Sequence, residues 1–327
     1  MIEGPLGRRI VLAGGSGYLG RHLSRTLADR GDDVVVLTRG SATTVNGVRH
    51  VHWDGAGLGP WAAELDGAHA VVHLAGKRVD ARPTRRNVDE LIRSRVEPVR
   101  VVGEAVRACA RPPAVWVQLS TLAIYGDSGD TLLDESVLPS GIGPRQMVTV
   151  ALAWETAFRQ ASSGIERTVL LRPGIALGGD DDPATARLRQ LCRLGLGGPV
   201  AGGRQWVSWL ALPDLLRIIL RAIDQGDVHG LYVATAPEPV TNAEMMRTYR
   251  QLLGRRVGLP APAVATRLGA WAMGSDPALA LTGRRGFPRR LLDEGFAFET
   301  TRFEDAARAA LAAAGSGRGR PAQLDAG

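Results

Sequence analysis

Residues 9–38 constrain this chain more than any other stretch. An apolar run, Arg9–Ala13 (RIVLA), leads into Gly14-Gly15-Ser16-Gly17-Tyr18-Leu19-Gly20. A helical pattern follows with Leu19, Leu23, Leu27 and Ala28 on one face. It closes at Arg30-Gly31, and Asp33–Thr38 (DVVVLT) is a second apolar run. Strand, glycine turn, amphipathic helix and parallel strand make the opening βαβ unit of a dinucleotide-binding fold. Gly14 permits the tight turn, Gly17 lets the backbone approach a diphosphate, and Gly20 allows close helix–sheet packing. The helix start adds unpaired N–H groups and a positive dipole end. Gly14, Ser16, Gly17, Tyr18, Leu19 and Gly20 are therefore the expected phosphate cradle, against the plainer reading of a glycine turn that holds nothing.

The alternation continues. Strands are expected at 48–53, 70–74, 115–120 and 167–171, and helices at 61–65, 88–109 and 148–161. This predicts an α/β fold: a Rossmann-like doubly wound parallel sheet, covered on both faces, with a smaller C-terminal α/β substrate domain. The expected division is 8–174 for the first domain and 175–313 mainly for the second, with parts of 205–235 returning to the sheet. Past 174 the pattern loosens. Helices are expected at 213–223, 241–253 (Thr241 and Glu244 form a capping box), 263–273 and 302–314, with a strand at 230–234. The polar tail, 314–327, is expected to be disordered.

With 45% hydrophobic and 22% charged residues, the chain of 327 residues is neither disordered nor fibrous. No run approaches 18 apolar residues, so no membrane span is expected. The opening MIEGPLGRR has no apolar leader core, and a cytoplasmic location follows as an expectation. Cys109 and Cys192 have no metal-ligand spacing, so no metal is expected. The net charge is +7, yet Lys77 is the only lysine. That imbalance reads as coding bias, although it could favour an anionic ligand. The basic stretches 77–86 and 284–290 are not interleaved with aromatics, so no nucleic acid is expected as partner. The expected partner is a small-molecule substrate, with no membrane; a homodimer stays open.

The second strand ends Leu37-Thr38-Arg39. A carboxylate there would bind a ribose 2′-hydroxyl. Thr38 and Arg39 instead offer a hydroxyl and a guanidinium, the latter able to pair with a 2′-phosphate. The predicted cofactor is NADP(H) rather than NAD(H), unless Arg39 is merely a solvated surface arginine.

AGGSGYLG at the first turn, HLAG at 73–76, LSTLAIYG at 119–126 and LRPG at 171–174 resemble an extended short-chain dehydrogenase/reductase. GLGGPVAGGRQWVSW at 195–209, APEPVTNAEM at 236–245 and GFPRRLLDEGFAF at 286–298 narrow the resemblance to one atypical branch, NAD(P)-dependent epimerase-family proteins. It spans about 8–313. It implies that Asp54 contacts the adenine amino group and that Leu74, Ala75 and Gly76 line the cofactor ribose. It also implies that Ser120 and Thr121 lie beside the nicotinamide and that Pro173 lies near its edge.

The superfamily's usual chemistry needs Tyr-x-x-x-Lys on the helix after the fifth strand, the lysine lowering a phenol pKa that is ordinarily about 10. Anchored on Trp154-Glu155, those positions are Met147 and Ala151, and no tyrosine of the chain has lysine four residues on. The chain also reads Lys77 after Leu-Ala-Gly, where the branch tends to carry Glu, and Ala211 and Pro213 within WLALPD. The substitutes are Thr121 as a carbonyl hydrogen-bond donor, Tyr125 as proton donor or packed aromatic, and Lys77 as a charge. His52 and His73 read as structural. Arg204, Gln205, Trp206 and Trp209 could line a substrate pocket, or the tryptophans could be core. Three functions remain open: an NADP(H)-dependent oxidoreductase on a small carbonyl or hydroxyl metabolite, a non-redox cyclase, dehydratase or isomerase on the same scaffold, and a cofactor-sensing binding protein.

Overall fold

The computed structural model describes residues 7–179 and 181–316. Its first half runs β1 (Arg9–Ala13), α1 (Tyr18–Asp29), β2 (Asp33–Thr38), β3 (Thr43–Val45), β4 (Val48–His52), a 3-10 turn at Pro60–Leu65, β5 (Ala70–His73), α2 (Arg85–Ala108) and β6 (Val115–Leu119). There follow β7 (Leu132–Leu133), α3 (Val148–Ala161), β8 (Thr168–Pro173), β9 (Ile175–Leu177), α4 (Pro183–Arg193), β10 (Trp206–Val207), β11 (Trp209–Ala211), α5 (Leu212–Asp224) and β12 (Gly230–Ala234). The last part holds β13 (Val240–Thr241), α6 (Asn242–Leu252), α7 (Ala263–Ala272), α8 (Ala278–Leu281), β14 (Arg285–Gly286), α9 (Arg289–Asp293) and α10 (Phe303–Ser316).

Eight strands form one sheet in the order β12-β8-β6-β5-β1-β2-β4-β3, parallel except for the edge strand β3. The pleat sends alternate residues of each strand to opposite faces. Ile10 and Leu12 meet Leu23, Leu27, Ile218 and Ile219 of α1 and α5. Val11 and Ala13 meet Val99, Val102, Trp154 and Phe158 of α2 and α3. Both faces are thus covered, which is why the strands read as continuous apolar runs. A Cβ on Gly103 of α2 would lie 2.7 Å from Ala161, so the two helices cross nearly backbone to backbone. A third core joins α4, α6 and α10 around Trp209, Tyr249 and Phe303.

The expected doubly wound sheet is borne out. Strand β3 and helix α4 are among the elements not read from sequence. Strand β3 forms a hairpin with β4 through Asn46-Gly47, both at positive φ, the pairing a two-residue hairpin loop favours. Helix α4 is capped by Asp182, whose Oδ1 accepts from the Ala184 and Thr185 N–H groups, with Pro183 in its first turn. Helix α10 reaches Ser316, beyond the expected start of a disordered tail, and 317–327 lie outside the described residues.

His73 is fully buried in β5, its Nδ1 3.4 Å from Gln118 Nε2 and its Nε2 without a hydrogen-bond partner among the described residues. Burial pulls its pKa down to about 3, whereas an unfolded chain titrates near 6.5. Between these values the unfolded state binds a proton that the native state does not. Stability is therefore expected to be unaffected by this group above pH ~6.5 and to fall by roughly 4 kcal/mol as pH drops towards 3. Urea midpoints measured against pH should show this fall, and a His73→Leu variant should show a shallower one; parallel curves would refute the assignment.

Candidate functional site

The glycine turn lies at the carboxyl ends of β1 and β5, where the strand order reverses and open α/β sheets bind ligands. Gly14 has φ +80°, and a Cβ on it would come within 2.5 Å of Ala75. The turn and the Leu74-Ala75-Gly76 segment therefore touch at the switch point. A Cβ on Gly20 would lie 2.2 Å from the Gly15 carbonyl oxygen, so Gly20 serves the closure of the turn itself rather than, as expected, the packing of helix on sheet. Gly17 differs: a Cβ there would meet nothing within 4 Å. Gly17 is also the N-cap of α1 and brings no side chain to its free N–H groups. Open space in front of an uncapped helix start is what a diphosphate requires.

The flanking residues divide by atom. Leu19, Leu74 and Ala75 pack their side chains into the two sheet cores, leaving only backbone to face a ligand. Ser16 is exposed, and the Tyr18 hydroxyl donates to the Gly178 carbonyl at 2.5 Å, tying the turn to the loop after β9. At the end of β2, Thr38 Oγ1 accepts from the Gly40 N–H, while Arg39 is exposed with no ion pair among the described residues. Asp54 Oδ1 accepts from the Ala56 and Gly57 N–H groups, which hold its carboxyl below the usual range. Its second oxygen has no hydrogen-bond partner among the described residues. Half-buried Pro173 ends β8.

The end of β6 carries a buried network that sequence reasoning missed. Ser120 Oγ donates to Glu155 Oε1 at 2.6 Å. Arg172 donates to both Glu155 oxygens, at 2.9 and 2.8 Å, and through Nη1 to the Tyr125 hydroxyl at 2.6 Å. Tyr125 in turn donates to the Asp134 carbonyl and stacks under the Arg172 guanidinium. Two expectations are corrected here. Ser120 is buried and committed to Glu155 rather than turned to a cofactor. Tyr125 is buried with its proton committed to Asp134, and burial pushes its phenol above the ordinary value despite the Arg172 charge, so it is packing rather than a proton donor. The signal for the network was Glu155 on an otherwise apolar helix face opposite Arg172 in an apolar strand. Thr121 stands apart: half-buried, it accepts from the Ala123 N–H, and its own O–H has no acceptor among the described residues.

Lys77 is also corrected. Its ammonium pairs with Glu90 on the exposed side of α2, so its charge is committed to a surface ion pair. Beneath it, Arg95 is buried without a carboxylate partner among the described residues, donates to the Lys77 carbonyl at 2.9 Å and stacks over Trp154. Burial lowers its pKa to about 10. A Cβ on Gly76 would touch this guanidinium at 3.2 Å, so Arg95 props the segment facing the glycine turn.

The four substrate residues expected after the glycine-rich loop do not form one wall. Trp209 is fully buried in the third core and donates to the Glu238 carbonyl. Gln205 Nε2 is spent on the Val200 and Ala280 carbonyls. Trp206 donates to Asp130 and lies under Arg285. Arg204 is exposed. The structure brings a different residue to the mouth of β6. Arg284 donates through Nε to the Gly126 carbonyl at 2.8 Å and through Nη2 to Thr282 at 2.6 Å, with Met147 Sδ 3.0 Å from the same nitrogen. It has no ion pair among the described residues, and burial pulls its guanidinium below the usual range. The dense basic stretch 284–290 was its only sequence signal. A surface hollow of about 540 Å³ lined by Arg8, Arg9, Asp33, Asp66, His69 and Arg111 opens at the opposite, amino-terminal edge of the sheet.

A model of the NAD dependent epimerase/dehydratase family matches residues 10–234. The chain belongs to that family. The human epimerase family protein SDR39U1 is 31% identical over 297 residues, which span 89% of this chain and 95% of that protein. Mb2239, an epimerase family protein of Mycobacterium bovis, is 31% identical over 298 residues, 88% of this chain and 93% of its own. The crystal structure of human SDR39U1 with NADPH superposes with a TM-score of 0.80 at 29% identity, covering 92% of this chain and 98% of that one. The expected atypical extended branch is thereby borne out. Met147, the N-cap of α3, and Ala151 within it, at the positions where Tyr-x-x-x-Lys chemistry would place tyrosine and lysine, are both buried. Gln146 beside them donates to the Val79 and Ala81 carbonyls, holding down the loop after β5.

Proposed function

We propose that the chain is an NADP(H)-dependent oxidoreductase acting on a small carbonyl or hydroxyl metabolite. The observation that carries this reading is the open space at Gly17 before the uncapped start of α1, with the exposed Arg39, which has no ion pair among the described residues, at the end of the neighbouring strand. The backbone from Gly14 to Gly20 would hold the diphosphate, Arg39 the 2′-phosphate, and the Leu74-Ala75-Gly76 backbone the ribose. NADPH in the human SDR39U1 structure supports a phosphorylated cofactor. When bound, the cofactor supplies or accepts a hydride. The Thr121 O–H donates a hydrogen bond to the substrate oxygen, and the Arg284 guanidinium offsets negative charge gathering there, in place of a tyrosine and a lysine.

Arg39→Ala is expected to weaken NADPH binding by about tenfold or more, the loss of a charge-assisted bidentate contact, and to leave NADH binding unchanged. Calorimetric titration of both nucleotides checks it, and equal affinities in the parent protein would remove the NADP(H) assignment. Incubation with deuterated NADPH and a panel of carbonyl compounds tests the reaction. Label in a product supports hydride transfer, and Thr121→Val should lower that rate while Tyr125→Phe leaves it within about twofold. The buried, non-titrating Met147 and Ala151 favour a second reading, a cyclase, dehydratase or isomerase on the same scaffold. That reading predicts turnover without label.

A further inference from the structure

Residues 183–213 and 245–275 contain nine arginines and no aspartate, glutamate or lysine. The chain as a whole is +7, so everything outside these two stretches carries −2. Coding bias would spread the surplus along the chain; here it is segregated. The fold then brings the stretches together. The Leu259 N–H donates to the Gly195 carbonyl at 2.8 Å, Val200 bridges to Ala261, and Arg187 Nη2 lies 2.8 Å from Met273 Sδ.

Helix α7 rises from this basic face almost uncovered. Of its ten residues only Ala270 is buried. Val264, Leu268 and Trp271, spaced for one helix face, are 65, 65 and 67% exposed. Leu194 and Leu196 after α4, and Val257 and Leu259 before α7, are exposed as well. Apolar surface gathered in this way marks an interaction site. Its surroundings decide the partner. Arg193, Arg255, Arg256 and Arg267 are exposed and make no ion pair among the described residues. A second copy would set one acid-free face against another and be repelled. The stripe runs along an uncovered helix rather than a groove, so it offers no seat for a partner's side chains. An apolar helix face bordered by arginines suits a flat anionic surface: the apolar side chains enter it, and the arginine stems lie along it with their charges at the headgroups.

We propose that the face formed by the end of α4, the 255–261 stretch and α7 docks the protein on an anionic lipid surface, with Val264, Leu268 and Trp271 entering the headgroup layer. This reverses the expectation from composition that no membrane is a partner. It is peripheral docking, since no helix among the described residues is long and apolar enough to cross a membrane. It does not depend on the cofactor assignment.

The test is co-sedimentation of the full chain with vesicles of phosphatidylcholine alone and of phosphatidylcholine with one third phosphatidylserine. Binding to the anionic vesicles is expected to be about tenfold stronger or more and to weaken as salt is raised. Leu268→Asp and Trp271→Asp, at exposed positions, should each abolish binding with an unchanged thermal melt. Arg255→Glu with Arg256→Glu should erase the preference for phosphatidylserine. The proposal is overturned if the anionic vesicles are not bound, if both compositions bind alike, or if the aspartate variants bind as the parent does. It is equally overturned if the face captures polyglutamate but no vesicles, or if light scattering shows a dimer that Leu268→Asp dissolves.

Discussion

Gly17→Val is expected to weaken NADPH binding about a hundredfold, near 3 kcal/mol, while the thermal midpoint shifts by no more than a few degrees. The two readouts separate because of where a side chain would go. Gly17 has φ −75° and ψ 178°, a conformation any residue adopts, and a Cβ there contacts no protein atom within 4 Å. The new methyl groups would fill the space in front of the α1 N–H groups, where a diphosphate would sit. Gly20→Val is the contrasting control. Its Cβ would lie 2.2 Å from the Gly15 carbonyl oxygen, so the turn must open and both stability and binding should fall. Calorimetric titration and scanning calorimetry on the two variants decide the matter. A Gly17→Val protein that binds NADPH like the parent would mean that the turn holds no phosphate.

The second large effect is expected inside the fold. Glu155→Leu leaves the Arg172 guanidinium, 5% exposed, without its carboxylate, and Ser120 without its acceptor. Removing one partner of a buried pair costs about 3–5 kcal/mol, because the remaining charge stays buried. Arg172→Met on its own should cost a similar amount. The double variant should recover most of the loss, since the desolvation penalty goes with the second charge. Urea unfolding of the three variants reads the coupling. If Glu155→Leu lies within about 1 kcal/mol of the parent, the network does not organise the end of β6.

Much of the scaffold could be read directly. Helix α3 and strand β12 carry the expected bounds, because apolar periodicity is a local property of covered helices and strands. The capping box at Thr241 and Glu244 is present, because both of its hydrogen bonds close within four residues. The Asn46-Gly47 hairpin and the Asp182 cap were equally local, and were missed among polar residues with no apolar pattern to frame them. The site was less legible. Tyr125 and Thr121 stand four residues apart in one motif, yet the hydroxyl of Tyr125 is committed and that of Thr121 has no acceptor among the described residues. Trp206 and Trp209 look alike in sequence; one meets Arg285 near the surface and the other is core.

The sequence alone determined the alternation of buried sheet strands and covering helices, the glycine turn, the arginine at the end of β2 and the lack of a tyrosine–lysine pair. Each of these is a matter of neighbouring residues or of which residue types the chain contains. Only the tertiary structure decided that Glu155 and Arg172, 17 positions apart, share a buried bond, that Arg284 reaches Met147 across 137 positions, and that two acid-free stretches meet on one face. The reason is physical. Periodicity shows which residues turn inward, but a buried charge or hydroxyl takes whichever partner the packing brings within 3 Å, and that choice is made between elements far apart in the chain.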